Sequence, residues 1–98
     1  MTDQPFIPLK VLTGDSHHSQ TLGTSALTLS VPLAARGILM QALSQNIRYT
    51  LDGTTPTAAI GFQLKAGDPP IFVELSHKIV MKFFRETSGA VLEYEYSE

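Results

Sequence analysis

Signals for tight turns divide this chain into short segments, and this feature limits the fold more than any other. Asp52-Gly53, Ala66-Gly67-Asp68-Pro69-Pro70 and Thr87-Ser88-Gly89 combine residues that favour sharp backbone reversals. The segments between them are short runs of apolar and polar residues, and none continues for long at helical spacing. Turns repeated at intervals of roughly 8–12 residues are typical of a β-sandwich or a small β-barrel.

Strand character is found in about seven or eight of these short segments. The clearest case is the alternation of Ile47, Tyr49 and Leu51 with polar neighbours, which predicts a half-buried strand. The other predicted strands span residues 6–12, 25–31, 35–43, 59–64, 71–75, 78–85 and 90–96. Residues 78–85 are almost continuously apolar, which predicts a central strand buried on both faces.

Residues 35–43 are the ambiguous segment, because they contain several helix-forming side chains. Gly37 would lie in the interior of such a helix, where it costs about 1 kcal/mol relative to alanine. Pro32 and Gln45-Asn46 also limit the segment to a length that suits a strand. We therefore predict a strand here.

These segments predict an all-β fold, an antiparallel β-sandwich or jelly-roll-like small barrel with an extended N-terminal arm. A chain of 98 residues has room for one core, so we expect a single β domain over residues 25–98. Residues 1–24 are predicted to form an arm or long loop that packs on the domain or extends from it, and residues 13–24 within it are polar and loop-like. Pro5 and Pro8 restrict residues 6–12 to a sheet edge or to that arm.

The charge distribution excludes several classes of function. The formal net charge is −2, and the seven Lys and Arg residues are scattered along the chain, which argues against nucleic-acid binding. The absence of cysteine excludes disulfides and thiol chemistry. The N-terminus lacks a signal-peptide pattern, and the apolar runs are too short for a membrane helix. We therefore expect no membrane association and synthesis in a cytoplasm.

His17 and His18, with Asp15 nearby, form the one metal-like cluster in the sequence. Adjacent side chains on an extended chain point in opposite directions, so a solvated loop is the favoured interpretation. Copies of His17 or His18 could share an ion only at the symmetry axis of an oligomer. His77 lies in a Ser-His-Lys segment and is interpreted as a surface turn residue.

The carboxylates do not form a recognisable catalytic arrangement. Glu93 and Glu95 share one face of the last predicted strand, but that face is interpreted as solvated, whereas a hydrolytic pair must converge on a pocket. Asp52 with Thr54 and Thr55 offers too few carboxylates for calcium, so a turn is favoured. We predict no catalytic residue, no metal site and no cofactor, and hence a protein that is not an enzyme.

Most aromatic residues fall at strand positions and are predicted to be core residues: Tyr49, Phe62, Phe72, Phe83, Phe84, Tyr94 and Tyr96. Tyr94 and Tyr96 also carry hydroxyl groups, which suits a sheet margin or an interface. The predicted partner-binding residues are Phe6, Ile7, Leu9, Val11, Tyr94 and Tyr96. The predicted turn residues that determine the fold are Asp52, Gly53, Pro56, Gly67 and Gly89.

The segment Ile47-Arg48-Tyr49-Thr50-Leu51-Asp52-Gly53-Thr54-Thr55-Pro56-Thr57 carries two resemblances. Over about ten residues it resembles the strand and turn of chitobiase C-terminal-type β-sandwich modules of carbohydrate-active enzymes. Over roughly residues 35–98 the chain resembles small tailed-bacteriophage virion proteins. In that pattern an Arg-x-Thr-x-Asp-Gly-x-x-Pro-Thr stretch is followed by elements that match Gly61, Ala66-Gly67-Asp68, residues 71–75, residues 78–85 and a last strand ending at Tyr96.

The bacteriophage resemblance implies a non-enzymatic structural component of the virion, with a capsid decoration or cement protein as the first choice. It implies binding to the major capsid protein or another virion protein, and self-association as a dimer or trimer. The arm would then add a strand to a neighbouring sheet edge. An accessory tail or head–tail component is the alternative within this class. A carbohydrate-binding sandwich module and a small cupin-like metal protein or enzyme are the alternatives outside it.

Overall fold

The computed structural model describes residues 17–76 and 79–97, and all of them belong to an all-β fold. The first four strands are β1 (His17–Thr21), β2 (Leu27–Leu29), β3 (Gly37–Leu43) and β4 (Ile47–Thr50). The other four are β5 (Phe62–Leu64), β6 (Ile71–Glu74), β7 (Met81–Arg85) and β8 (Val91–Ser97). The predicted all-β class is confirmed, and its form is a sandwich of two sheets, whereas the strand and arm predicted over residues 6–12 lie outside the described residues.

Each sheet contains four strands, and every pair of neighbouring strands is antiparallel. The first sheet has the order β1-β8-β3-β6, and the second has the order β2-β7-β4-β5. Short connections over residues 44–46 and 86–90 join the central strands of one sheet to those of the other. The strands β5 and β6 therefore come to lie at the same edge of the sandwich, and β1 and β2 lie at the opposite edge.

The core lies between the sheets and is built from alternate residues of each strand. In β8, Leu92, Tyr94 and Tyr96 are buried, whereas Glu93 and Glu95 are half-buried on the outer face. In β3, Ile38, Met40 and Ala42 point inward. The period of two that predicted these strands thus also separates core from surface. The full buried apolar set is Leu22, Leu29, Ala35, Ile38, Met40, Ala42, Ile47, Leu64, Met81, Phe83, Ala90, Leu92, Tyr94 and Tyr96.

Three sequence predictions are tested directly by the strands. Residues 35–43 do contain a strand, β3, so that prediction is confirmed. Residues 13–24 were predicted to be loop, which is wrong for 17–21, because β1 pairs along β8. The polar side chains of β1 mislead because an edge strand needs only part of one face buried.

The third prediction, burial of residues 78–85 on both faces, is wrong. The strand β7 is central in its sheet, and Met81 and Phe83 are fully buried, but Lys82 and Phe84 are half-buried on the outer face. The outer face of a sandwich sheet borders solvent, so even a central strand has one wet side.

Candidate functional site

Exposed apolar side chains are concentrated at the edge where β5 and β6 lie. Seven large hydrophobic residues of the described chain are exposed, and five of them belong to this edge or its immediate neighbour β3. We call these five residues the apolar edge: Leu39, Ile60, Phe62, Ile71 and Phe72. Exposed apolar side chains gathered at one edge mark interaction surfaces more often than isolated exposed residues do.

Phe62 is the most exposed member of the apolar edge, with 66% of its surface accessible. It pairs with Tyr49 across β4 and β5, so its side chain faces the interior side of the sheet. The ring centroids of Phe62 and Tyr49 are 5.6 Å apart, and those of Tyr49 and Phe83 are 6.1 Å apart. Phe83 is fully buried, so a row of three rings runs from the core to the surface.

A pocket of about 460 Å³ opens beside Phe62. It is lined by Thr50, Leu51, Asp52, Thr54, Ile60, Gly61 and Phe62. Phe62 and Ile60 form its apolar wall, and Asp52 is its acidic group. This pocket lies at the end of β5 and next to the turn that follows β4.

The turn after β4 is organised by local hydrogen bonds. Asp52 Oδ1 accepts a hydrogen bond from the Thr54 backbone N–H at 3.0 Å, and this bond lowers the pKa of Asp52. Gly53 has a φ of 86°, which glycine adopts without strain, and its N–H donates to the Val80 carbonyl at 3.1 Å. Thr50 Oγ1 donates to the Thr54 carbonyl. The polar groups of this turn are therefore engaged within the chain.

The remaining predicted turn residues, Gly67, Gly89 and Pro56, also occupy positions that suit their residue types. Gly67 and Gly89 have φ values of 89° and 96°, so both occupy the left-handed region. Pro56 is fully buried, which places the loop after the Asp52 turn against the domain.

An ion-pair cluster on the outer face of the second sheet fixes the position of β5. Arg48 Nε donates to Glu86 Oε2 at 2.6 Å, and Gln63 Nε2 donates to the same oxygen at 2.8 Å. Arg48 also donates through Nη1 to the Gly61 carbonyl at 3.0 Å. The Gln63 amide, followed by the Arg48 guanidinium, lowers the pKa of Glu86. The short strand β5 is thus held by side-chain bonds as well as by its pairing with β4.

Phe72 covers Gly37 on the outer face of the first sheet. It is the cross-strand partner of Leu39, and 46% of its surface is exposed. A Cβ atom added to Gly37 would overlap Cζ and Cε1 of the Phe72 ring. Because Gly37 has no side chain, the Phe72 ring can pack directly against the backbone at this position.

His17 lies on the outer face of β1 between two carboxylates of β8. Its Nε2 is 2.8 Å from Glu93 Oε2, and its Nδ1 is 2.9 Å from Glu95 Oε1. Both contacts favour the imidazolium, and the bond to Glu93 contributes most to raising the pKa of His17. His18 points the other way and stacks on Tyr94 with ring centroids 5.0 Å apart. The two histidines face opposite sides, as the sequence analysis expected of extended neighbours, but on a strand rather than in a loop.

The predicted partner-binding residues fall into two groups. Phe6, Ile7, Leu9 and Val11 lie outside the described residues. Tyr94 and Tyr96 pack edge to face in the core with centroids 5.7 Å apart, and burial raises the pKa of Tyr96 to about 12. Both rings are buried, and the role of these two tyrosines in binding a partner stays a prediction.

Three aromatic residues were predicted to be core and are not, and one of them, Phe84, is half-buried on the outer face of β7. Phe62 and Phe72 sit on edge strands and are exposed. Their sequence context resembles that of buried Phe83, because alternation predicts which face a residue occupies and not whether a second sheet covers it.

Within residues 17–76 and 79–97, no group of three or more His, Cys, Asp or Glu side chains has a geometry that could hold a metal ion. His77 lies outside the described residues. Across the same part of the chain, no helix is long and apolar enough to cross a membrane. No protein-family model, curated protein or solved structure matches this chain.

Proposed function

We propose that this protein is a non-enzymatic structural component of a bacteriophage particle, a capsid decoration or cement protein that binds the major capsid protein. The apolar edge is the observation that carries the proposal, because a sandwich with apolar side chains exposed along one edge is suited to docking against another protein. The resemblance to small virion proteins over residues 35–98 supports the particle context, and all five residues of the apolar edge lie inside that range.

The proposed mechanism is the burial of Leu39 and Phe72, the members of the apolar edge on the outer face of the first sheet, against capsid subunits. Phe72 provides an aromatic anchor of the type that dominates interface energetics. Its ring packs in the space left by Gly37, and this contact holds the anchor in place before binding, which reduces the entropy lost on association. Many copies on one shell would add their contributions by multivalency, so each contact can be modest.

The experiment is co-sedimentation of the purified protein with expanded capsids, together with quantitative mass spectrometry of purified particles. We expect a fixed molar ratio to the major capsid protein. The matched pair of variants is Phe72→Asp on the apolar edge and Thr28→Asp at the exposed position of β2, on the opposite edge. Phe72→Asp should abolish co-sedimentation, and Thr28→Asp should leave it unchanged. Absence of the protein from purified particles would overturn the proposal.

Two alternative assignments have separate tests. An accessory tail or head–tail component would be found in isolated tails or connectors and not in tailless heads. A carbohydrate-binding module would be retained on insoluble polysaccharide and released by soluble oligosaccharide. The pocket beside Phe62 offers a ring to a sugar, but the engagement of Asp52 and Thr50 within the turn leaves few free polar groups for sugar hydroxyls.

A further inference from the structure

The pocket beside Phe62 lies along an edge strand whose outer side is open. In the part of the chain that the structure describes, β5 has one hydrogen-bonded neighbour, β4. The backbone of an edge strand can pair with an added strand, and pockets beside it select alternate side chains of that strand. Because Phe62 and Ile60 line the pocket, an added strand with apolar side chains would fit best here.

We propose that this groove, formed by β5 and the pocket beside Phe62, binds residues 6–12 of a second copy of this chain as an added β-strand. The proposal deepens the proposed function, on which it rests for its context, by assigning the surface through which copies join. The groove would then be the binding site for the arm predicted from the sequence.

The composition of residues 6–12, Phe6-Ile7-Pro8-Leu9-Lys10-Val11-Leu12, fits this groove. Ile7, Leu9 and Val11 alternate along the segment and would present one apolar face to Phe62 and Ile60. Pro8 lacks an N–H group and is compatible with a strand only at an edge, which is the position that a strand added outside β5 would take.

The route of the chain favours a second copy over the same copy. His17 begins β1, which lies at the opposite edge from β5 and in the other sheet. Five residue steps from Leu12 to His17 span at most about 17 Å. A path around three strand spacings of about 4.8 Å and one sheet separation of about 10 Å is about 24 Å long. Only a fully extended link running straight over the end of the sandwich could reach the groove of its own domain, whereas a neighbouring copy imposes no such limit.

The test uses the absence of native cysteine. A Leu9→Cys chain at natural isotope abundance carries a photocrosslinker on its single thiol and is mixed with uniformly ¹⁵N-labelled full-length protein. Mass spectrometry then identifies both the crosslinked peptide and the copy to which it belongs. We expect crosslinks to residues 60–64 of the ¹⁵N copies, and sedimentation equilibrium should show concentration-dependent association of the unmodified protein.

Two acceptor variants sharpen the test. Phe62→Asp in the ¹⁵N copy should weaken the association by about thirtyfold, the effect expected of an aromatic anchor at an interface. Thr28→Asp should leave it unchanged. Crosslinks confined to the same copy, crosslinks that map to β2 as often as to β5, or a monomer at all concentrations would each overturn the proposal. The experiment contains no capsid, so its failure leaves the proposed function to be decided by co-sedimentation alone.

Discussion

The contact between Gly37 and Phe72 allows a quantitative test of how the apolar edge is held in place. Gly37 is not among the glycines with positive φ, so alanine can adopt its backbone conformation. The obstacle is the ring, because the new Cβ would overlap Cζ and Cε1 of Phe72. In Gly37→Ala we expect the backbone conformation to be retained and the Phe72 ring to be displaced from its position over residue 37.

The magnitude follows from the burial of Phe72. With 46% of its surface exposed, about half of the residue is buried, or about 100 Å² of the 150–250 Å² that a phenylalanine buries in a core. At about 25 cal/mol per Å², the loss of that burial costs at most about 2.5 kcal/mol, and a realistic unfolded state reduces this to about 2. Alanine recovers about 0.5–1 kcal/mol of backbone entropy in a strand. Gly37→Ala should therefore destabilise the protein by about 1–1.5 kcal/mol.

A double-mutant cycle in urea separates this steric effect from others. Phe72→Ala alone should cost about 2 kcal/mol, and the double variant Gly37→Ala/Phe72→Ala should cost less than Phe72→Ala, because the methyl group then meets no ring. The coupling between the two sites should be about 2 kcal/mol. Gly23→Ala is the matched control, since nothing lies within 4 Å of a Cβ at Gly23. A Gly37→Ala variant as stable as Gly23→Ala, or additive single effects, would refute this reasoning.

Three further variants test other parts of the site. Gly61→Ala should cost about 1–3 kcal/mol in urea unfolding, because Gly61 has a φ of 120° and its added Cβ would lie 3.0 Å from the Tyr49 carbonyl; an effect no larger than that of Gly23→Ala would contradict this. Arg48→Met should lower the free energy of unfolding by about 1–2 kcal/mol, since Glu86 loses a charged donor. It should also increase the hydrogen-exchange rate of the β5 amides, because the bond from Arg48 to the Gly61 carbonyl is lost; an unchanged rate would show that Arg48 does not hold β5. His17→Gln should lower the melting temperature below pH 6.5, where the imidazolium is present in both states, and the difference from wild type should disappear as pH rises through the raised folded pKa of His17; a difference that persists to high pH would exclude the ion pairs as its cause.

Much of the sandwich could be predicted because its signals are local. The alternation in residues 47–51 and 91–96, and the Asp52-Gly53 turn, depend on neighbours one or two positions away, and all of them correspond to observed features. Gly37 even helped to predict a strand over residues 35–43. The low helix propensity of glycine is a local property, whereas the packing of Phe72 over Gly37 depends on the pairing of β3 with β6 and is not visible in the sequence.

The surface properties of the site depend instead on which strands become edges. His17 and Phe62 are examples of the two opposite errors that result. The polar sequence around His17 concealed a strand that pairs with β8, and the apolar sequence around Phe62 concealed an exposed ring. Edge position is decided by strand order, which is a non-local property, so periodicity alone could assign neither residue correctly.

The asymmetry between the two edges supports a directional mode of assembly. The β1 edge is polar and carries His17 between Glu93 and Glu95, whereas the β5–β6 edge is apolar and carries Phe62 and Phe72. An exposed apolar edge strand is an aggregation hazard unless something covers it. An arm that leaves from the polar edge of one copy and covers the apolar edge of the next would remove this hazard and join the copies by the same contact. Solubility of the isolated protein and its association should therefore depend on the same residues, and Phe62→Asp should increase the solubility while it weakens the association by about thirtyfold.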